Sequence, residues 1–323
     1  MGARVWITGC TGTVGPSLIP ALRRHLAGAH LTGTALRAAD ARALGLDEML
    51  PADVRDEAAV RTAIDRVKPD RIVHLASRRA GELPELLQVQ VLGTRNVLQA
   101  ALEMLGPAAR VLVVGSAAEI GFVETSEMPL AETCACRPVD AYGVTKLAQA
   151  ALAHAYAFAQ LQHVIRVRLF NLLGPGVPDT LLPGRCAALL RQTPRGSKEP
   201  LRFRALDTQR DYVDVRDACE ALVLALERGR PGALYHVGSG LAIRGRIIVE
   251  HLLAAAHAEH GELRYEESAE GPPTVPLQVA DARLAMSEFG WQPRIPFEQS
   301  IDDLWRASGD SRFARPAAPA AEA

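Results

Sequence analysis

The chain has 323 residues, and its 36 basic and 37 acidic side chains leave a formal net charge of −1. This balance, with no basic run along the chain, argues against a surface that neutralises the phosphates of a nucleic acid. Although 48% of the residues are hydrophobic, no stretch approaches the roughly 20 consecutive apolar residues that cross a bilayer. The sequence therefore predicts partners other than nucleic acid or membrane.

The cysteine pattern does not suggest a metal site. The chain has five cysteines, and none forms a C-x-x-C pair or has a histidine at zinc-ligand spacing. Met1 leads directly into a strand-like segment, without the basic and apolar regions of a secretory signal, which predicts a cytoplasmic protein. We therefore expect reduced thiols and no metal.

Lysine is rare in this chain. Only Lys68, Lys146 and Lys198 are lysines, and arginine supplies the rest of the 36 basic residues. Because arginine does not imitate the compact ammonium of lysine, a lysine that the chain keeps is more informative than any one of its arginines.

Short apolar runs alternate with helical segments along the first half of the chain. Strands are predicted over residues 4–8, 30–36, 71–76, 110–114 and 164–170, and a later one over 234–237. A helix ending near residue 26 follows the first strand, and a helix over about 86–105 follows the strand 71–76. Strands that alternate with helices pair in parallel through right-handed crossovers. The predicted fold class is therefore α/β, with a doubly wound parallel Rossmann sheet.

The alternation degrades after residue 170, where proline and glycine become frequent. We predict a dinucleotide-binding Rossmann domain over residues 1–170, to which the chain returns at about 208–240. A smaller, irregular substrate-binding lobe is predicted over 171–207 and 241–312. The last residues, 313–323, have the composition of a disordered tail.

Three glycines lie between the first strand and the first helix, in the stretch T-G-C-T-G-T-V-G. Gly9, Gly12 and Gly15 are three residues apart, a spacing that lets the backbone turn tightly and approach a pyrophosphate at the helix N-terminus. Thr13 and Val14 complete the turn. A plain strand-to-helix turn is the alternative interpretation. Because the glycine stretch lies in the first strand, turn, helix unit of the chain, a dinucleotide site is favoured.

The end of the second strand indicates which dinucleotide binds. An acidic residue there holds the ribose hydroxyls of NAD, whereas an arginine accommodates the 2′-phosphate of NADP. The second strand ends in Arg37 without an acidic residue, so NADP(H) is favoured over NAD(H). Asp53 is predicted to accept a hydrogen bond from the adenine amino group. The alternative role for Asp53 is that of a helix N-cap, but Asp56 suits that role better. The predicted cofactor surface also includes Val54, Leu75, Ala76, Ser77, Tyr142 and Lys146.

Tyr142 and Lys146 open a predicted helix in the stretch Y-G-V-T-K. The four-residue spacing places the phenol and the ammonium on one face. A lysine beside a tyrosine is expected to lower the pKa of the phenol, so that it exchanges a proton with a substrate oxygen near neutral pH. Ser116, at the end of the strand R-V-L-V-V-G-S, is placed to bond the same oxygen.

With these motifs in this order, the chain resembles the extended short-chain dehydrogenase/reductase family, of the NAD-dependent epimerase/dehydratase type. The resemblance covers residues 1–305 and includes H-L-A, V-L-G-T-R-N-V-L, R-L-F-N-L-L-G-P-G and R-D-Y-V-D-V-R-D-A. Several stretches are most similar to GDP-4-keto-6-deoxy-mannose reductases. The family's sugar nucleotide dehydratases have a carboxylate two residues after the catalytic Ser or Thr. Here that position is Ala118, and Glu119 comes one residue later, so the resemblance argues against elimination.

The resemblance also implies substrate contacts. Ser116 and Ala117 would face the sugar, Asn171 would contact the hexose or phosphate portion, and Arg210 would grip the diphosphate. An ion pair of Arg210 with a neighbouring aspartate is the alternative. The family often has a second arginine where this chain has Gly271.

The loop after H-L-A also departs from the family pattern. It reads Ser77-Arg78-Arg79 in place of small residues. Either arginine is a candidate to replace the missing diphosphate contact, and a solvated side chain is the alternative for both.

The expected function is an NADP-dependent reductase of a 4-keto sugar nucleotide, with a GDP-4-keto-6-deoxyhexose as one candidate substrate. A sugar nucleotide 4-epimerase and a ketoreductase or dehydrogenase of a non-nucleotide metabolite remain open, and a non-catalytic dinucleotide sensor ranks last because Ser116, Tyr142 and Lys146 are all present. The resemblance implies a homodimer formed through the helices over 86–105 and 142–160.

Overall fold

The computed structural model describes residues 2–36, 39–268 and 275–310. Its strands are β1 (Arg4–Thr8), β2 (His30–Ala35), β3 (Glu48–Pro51), β4 (Arg71–His74), β5 (Arg110–Ser116), β6 (Val164–Leu169), β7 (Asn171–Leu173), β8 (Leu201–Arg204), β9 (Gln209–Asp214), β10 (Leu234–Val237), β11 (Ala242–Arg244), β12 (Tyr265–Ser268) and β13 (Leu277–Gln278). Its helices are α1 (Gly15–His25), α2 (Ala41–Leu44), α3 (Glu57–Val67), α4 (Leu83–Leu87), α5 (Gly93–Leu105), α6 (Ala141–Ala159), α7 (Leu182–Gln192), α8 (Val215–Arg228), α9 (Gly245–His260), α10 (Arg283–Phe289) and α11 (Phe297–Ser308).

The main sheet has seven strands in the order β10, β6, β5, β4, β1, β2, β3. Every neighbouring pair in it is parallel. This arrangement confirms the predicted α/β class with a doubly wound Rossmann sheet. Because β1 leads outward to β2 on one side and the chain later crosses to β4 on the other, the strand order reverses between β1 and β4, which opens a crevice at their carboxyl ends.

Two cores cover the two faces of this sheet. Val5 and Ile7 of β1 belong to the core that includes side chains of α1 and α8. Trp6, between them, belongs to the core formed with α3, α5 and α6. Successive side chains of a strand point to opposite faces, so a run that is apolar at every position signals burial on both sides. Helices on both faces therefore hold the strand ends rigidly in place.

A second set of elements follows β6. Strands β11, β9 and β13 form a sheet to which β7 adds by pairing with β9, and β8 pairs with β12. Helices α7, α9 and α11 pack against one another beside these strands. The chain returns to the main sheet with β10, as expected from the apolar run over 234–237. The domain boundaries given above stay a prediction.

The helix expected over 86–105 differs in detail. It is preceded by α4 and continues through a π-helical turn, Gln88–Leu92, before α5. Gln90 in this turn is buried and donates from Nε2 to the Arg78 carbonyl oxygen at 2.8 Å. The wider turn thus ties the helix to the loop after β4, a contact between distant segments that helical periodicity does not reveal. No helix in the described part of the chain is long and apolar enough to span a membrane.

Candidate active site

A cavity of about 820 Å³ opens at the carboxyl ends of β1, β4, β5 and β6. This is the position at which ligands bind in open α/β sheets. Its lining includes twelve of the residues predicted from sequence: Gly9, Gly12, Thr13, Val14, Leu75, Ser77, Ser116, Ala117, Tyr142, Lys146, Asn171 and Arg210. The fold thus brings the predicted cofactor, catalytic and substrate residues to one cavity.

The glycine turn has the geometry of a phosphate cradle. Gly9 has a φ of 67°, and a Cβ on it would lie 2.7 Å from the Ala76 Cα. At Gly15 a Cβ would lie 1.8 Å from the Cys10 carbonyl oxygen. Val14 is the N-cap of α1, and no described side chain caps it. The backbone N–H groups at this helix start are therefore available to an anion, so these residues fit a dinucleotide pyrophosphate.

Four predicted cofactor residues do not line the cavity within the described part of the chain. Gly15 and Val54 are buried behind it, Ala76 is the close neighbour of Gly9, and Asp53 forms an ion pair with Arg55 at 2.6 Å. Hydrogen bonding from Arg55 lowers the pKa of Asp53. Asp56 caps α3, as the sequence suggested. Arg37 lies outside the described residues. The cofactor roles of Asp53 and Arg37 stay predictions.

Ser116 ends β5 and starts a tight 3₁₀ turn, Ala117–Glu119. Its hydroxyl oxygen accepts from the Ala118 N–H at 3.2 Å, and its own N–H donates to Glu119 Oε1 at 2.8 Å. Glu119 also pairs with Arg168 at 2.9 Å, and both side chains are almost fully buried. Glu119 therefore anchors the Ser116 turn, and it is not among the described residues that line the cavity.

Helix α6 begins beside that turn. Asp140 caps it by accepting from the Gly143 N–H at 2.7 Å. A Cβ on Gly143 would lie 2.4 Å from the Ala118 carbonyl oxygen, so the glycine permits a close approach of the helix to the turn. This approach brings the Tyr142 hydroxyl into hydrogen-bonding reach of the Ser116 and Ser77 hydroxyls. The predicted serine and tyrosine therefore face one point in the cavity.

Lys146 lies one helical turn further along α6 and is only 2% exposed. Its Nζ donates to the Val114 carbonyl oxygen at 2.7 Å and to Gln149 Oε1 at 2.5 Å. Desolvation by burial lowers the pKa of Lys146 to about 8, although the charge of Glu119 opposes this shift. The ammonium is thus fixed against β5 at the cavity wall.

The pKa of Tyr142 is shifted in the direction opposite to the one expected. Burial raises this pKa, whereas the charge of Arg79 and hydrogen bonding with Ser116 and Ser77 lower it. The expected lowering assumed an ammonium aimed at the phenol, but the Lys146 Nζ donates instead to Val114 and Gln149. The guanidinium carbon of Arg79 lies 5.1 Å from the centroid of the Tyr142 ring.

A buried chain of hydrogen bonds supports Lys146 from behind. Gln149 donates from Nε2 to Thr94 Oγ1 at 2.7 Å, and His74 Nε2 lies 2.9 Å from the same oxygen. His74 Nδ1 lies 2.8 Å from Thr8 Oγ1. Burial and the charge of Lys146 lower the pKa of His74 to about 3, so the ring is neutral near pH 7. The chain connects α6 to α5, β4 and β1, and it orients the lysine through fixed partners.

Arg210 lies on the substrate side of the cavity and is half-buried. Its NH1 donates to the Gln209 carbonyl oxygen at 2.8 Å. Asp211 accepts instead from Ser239, Gly240 and Ala280, and Asp214 pairs with Arg216. Among the described residues, the ion pair weighed as the alternative for Arg210 is therefore not formed. A partly desolvated guanidinium facing a cavity is suited to an anionic group.

Asn171 also lies on this side and lines the cavity. Its Nδ2 donates to the Asp211 carbonyl oxygen at 3.4 Å. Because Asp211 is held by β10 and β13 neighbours, Asn171 is attached to the same rigid segment as Arg210.

Among the cavity residues that sequence reasoning missed are Arg204 and Gln278. Arg204 ends β8, and its exposed side chain lines the cavity. Gln278 is buried and donates from Nε2 to the Gly121 carbonyl oxygen at 2.8 Å, next to the Ser116 turn. The alternation in the stretch L-R-F-R identifies a strand that could have placed Arg204 on a face. Nothing in the local sequence predicts that β13 packs against the turn after β5. Gly271 lies outside the described residues, so the missing family arginine has no structural account.

Metal chemistry has no candidate ligand set here. No group of three or more His, Cys, Asp or Glu side chains within residues 2–36, 39–268 and 275–310 could hold a metal ion. The five cysteines are free, and burial raises the pKa of Cys10 to about 11.

A Rossmann sheet with a glycine cradle and a Ser, Tyr and Lys set at one cavity defines the class of nicotinamide dinucleotide enzymes. Residues 5–238 match the model of the NAD dependent epimerase/dehydratase family. The chain belongs to this family, which confirms the resemblance drawn from its motifs. It is an NAD(P)-dependent enzyme of the oxidoreductase and epimerase type.

Three known proteins show how far the similarity extends. GDP-6-deoxy-D-mannose reductase from Pseudomonas aeruginosa is 29% identical over 93% of this chain and 95% of its own length. dTDP-6-deoxy-L-talose 4-dehydrogenase (NAD(P)(+)) from Kitasatospora kifunensis is 30% identical over 97% of this chain and 98% of its own. The structure of RMD from Pseudomonas aeruginosa in complex with NADPH superposes with a TM-score of 0.78 at 26% identity, covering 95% of this chain and 98% of that one. These relatives support a nicotinamide dinucleotide cofactor.

Proposed function

We propose that the chain is an NADP(H)-dependent reductase of a 4-keto sugar nucleotide, with a GDP-4-keto-6-deoxyhexose as its preferred substrate. The observation that carries this proposal is the convergence of Ser116, Tyr142 and Lys146 with Arg210 on one cavity. A proton donor and an anion-binding guanidinium on one cavity suit a keto sugar joined to a diphosphate. Two relatives that act on 6-deoxy sugar nucleotides, by their names, support the substrate class.

The mechanism requires a proton at the substrate oxygen. A dinucleotide whose pyrophosphate is held by the glycine cradle would supply a hydride for the keto carbon. Tyr142 donates its phenolic proton to the oxygen, which becomes the new hydroxyl, and the phenolate is reprotonated from solvent. Ser116 donates a hydrogen bond to the same oxygen and orients it. Lys146, fixed by Val114 and Gln149, supplies a positive charge at the cavity wall and a donor for the nicotinamide ribose.

The preference for NADP(H) over NAD(H) belongs to the same proposal. The described end of β2 runs into Leu36, and Arg37 follows in the sequence without an acidic residue between them. The solved relative in complex with NADPH supports this preference. Equal kcat/KM with NADH and NADPH would contradict it.

The reaction itself is tested by following NADPH absorbance with GDP-4-keto-6-deoxy-mannose. We expect one NADPH to be oxidised for each sugar reduced. The purified protein could instead carry tightly bound oxidised cofactor and interconvert C4 epimers without net NADPH consumption. That result would show a 4-epimerase and contradict the proposed reductase. If neither GDP nor UDP raises the melting temperature in the presence of NADP, a non-nucleotide ketone becomes the better candidate substrate.

Arg210→Gln tests the grip on the diphosphate. Loss of a charge-assisted hydrogen bond of about 1.5–3 kcal/mol corresponds to an increase of KM of about 10- to 100-fold. We expect kcat to change much less, because Arg210 does not contact the reacting carbonyl in the proposed complex. Arg202→Gln is the matched control, since Arg202 is exposed on β8 and does not line the cavity. An unchanged KM in Arg210→Gln, measured with the sugar nucleotide, would exclude this role.

We also infer a homodimer formed through α5 and α6, as the family resemblance implied. Large apolar side chains on or next to these helices are exposed, among them Leu92, Met104, Val144 and Phe158. An apolar surface of this kind is typical of a protein interface. A monomeric mass by light scattering at micromolar concentration would contradict the inference.

A further inference from the structure

Arg79 is an unusual cation in this cavity. It follows β4 in the loop Ser77-Arg78-Arg79, where the family resemblance led us to expect small residues. Its guanidinium carbon lies 5.1 Å from the Tyr142 ring centroid, and the residue lines the same cavity as Ser116 and Lys146. The positively charged edge of a guanidinium is attracted to an aromatic face within about 6 Å.

Its neighbour Arg78 has a different environment. Arg78 NH1 pairs with Glu85 on α4 at 3.1 Å, and its Nε donates to the Ala80 carbonyl oxygen at 2.8 Å. Within the described residues, Arg79 forms no ion pair with a carboxylate. Both arginines are exposed, and they differ in their partners: Arg78 pairs with a carboxylate, whereas Arg79 lies over the Tyr142 ring.

The remaining charges around Tyr142 come from the turn after β5 and from α6. Glu119 opposes a phenolate, but Arg168 neutralises it at 2.9 Å. Asp140 caps α6 through the Gly143 N–H. The Lys146 ammonium points to the Val114 carbonyl oxygen and Gln149. The uncharged Ser77 and Ser116 hydroxyls lie within hydrogen-bonding reach of the phenol. Arg79 is the cation whose charge favours the phenolate in this arrangement.

We propose that Arg79 is a positioning residue for proton transfer, which lies against the Tyr142 ring and stabilises the phenolate form while the proton is on the substrate oxygen. The proposal rests on the proposed function only in taking Tyr142 as the proton donor. It assigns to the loop after β4 a share of the electrostatic work that the sequence alone assigned to Lys146.

The direct test is a titration of the tyrosine in protein without cofactor or substrate. Tyrosinate absorbance is recorded against pH for the unsubstituted protein and for Arg79→Gln, and the curve of Tyr142→Phe is subtracted to isolate one phenol. We expect the apparent pKa of Tyr142 to rise by about 0.5 to 1 unit in Arg79→Gln. Arg79→Lys should restore part of the shift, because it keeps the charge but loses the planar stacking. Arg78→Gln is the matched control and should titrate like the unsubstituted protein.

The same shift is expected in kinetics. In the alcohol-oxidising direction, the acidic limb of the kcat/KM profile should move to higher pH by the same amount, because the phenolate is the reactive form there. An unchanged titration and an unchanged limb, with only a raised KM, would overturn the proposal and make Arg79 a contact to the substrate anion. Because the titration uses no substrate, its result stands even if the proposed substrate is wrong.

Discussion

We expect Tyr142→Phe to lower kcat by about 10²- to 10⁴-fold, the range that a positioned general acid contributes. The substitution removes only the hydroxyl, so the ring, its contact with Arg79 and the glycine cradle are retained. The affinity for NADPH, measured by fluorescence titration, should therefore change little. The kcat is measured from NADPH consumption at saturating sugar nucleotide, where a loss of chemistry is separated from a loss of binding.

Tyr156→Phe is the control for this prediction. Tyr156 also belongs to α6, but its hydroxyl donates to Gln99 Oε1 at 2.7 Å, and it does not line the cavity. It should retain activity close to that of the unsubstituted enzyme. Full activity in Tyr142→Phe would show that another group delivers the proton, and Ser116 or a water held by it would then be the group to test.

Lys146→Met should reduce kcat about as strongly as Tyr142→Phe, because it removes the positive charge at the cavity wall and the proposed donor to the nicotinamide ribose. The structure adds a second expected effect, on stability. Burial lowers the pKa of Lys146 to about 8 from its ordinary value of 10.5. The unfolded chain thus binds more protons at this lysine between these two pH values than the folded protein does. Stability rises with pH wherever the unfolded state binds more protons.

The unsubstituted protein should therefore gain stability relative to Lys146→Met as the pH rises from about 7 to about 10. The gain is about 2 to 3 kcal/mol, from the lowering of the Lys146 pKa to about 8 and the free energy of one pKa unit. It is measured as the difference between the unfolding free energies of the two proteins in urea at each pH. Lys198→Met, which removes an exposed lysine, should show no such difference. A constant difference between the unsubstituted protein and Lys146→Met across this range would mean that the lysine is not desolvated.

Local patterns were sufficient to predict much of the fold. Apolar runs such as R-V-W-I-T are buried on both faces in a parallel sheet, so their composition identifies them without any knowledge of their neighbours. The glycine turn is local in part: Gly15 meets Cys10 within the same turn, whereas Gly9 meets Ala76 at the end of another strand. Boundaries were less accurate: β4 ends at His74 and not at residue 76, and a π-helical turn precedes α5. In that turn the buried Gln90 side chain bonds to the loop after β4. Helical periodicity does not predict such a bond.

Electrostatic partners were harder to predict than the residues themselves. The sequence named Tyr142 and Lys146 correctly as neighbours on one helix face, yet the lysine binds the Val114 carbonyl oxygen and Gln149, and the cation over the ring is Arg79. The sequence named Arg210 but left its pairing with an aspartate open, and the structure places the candidate aspartates with other partners. Each of these contacts joins groups that lie far apart in the sequence.

By itself, the sequence determined the class of chemistry, because its signals are short: three glycines in one strand-to-helix turn, a serine at one strand end, and a tyrosine and a lysine four residues apart on one helix. The tertiary structure alone decided how charge is distributed around that chemistry. Glu119 is neutralised by Arg168 across 49 residues of sequence, and Arg79 reaches Tyr142 from a different strand end. Coulomb interactions depend on distance in space and on burial, and neither quantity is written in the order of the residues.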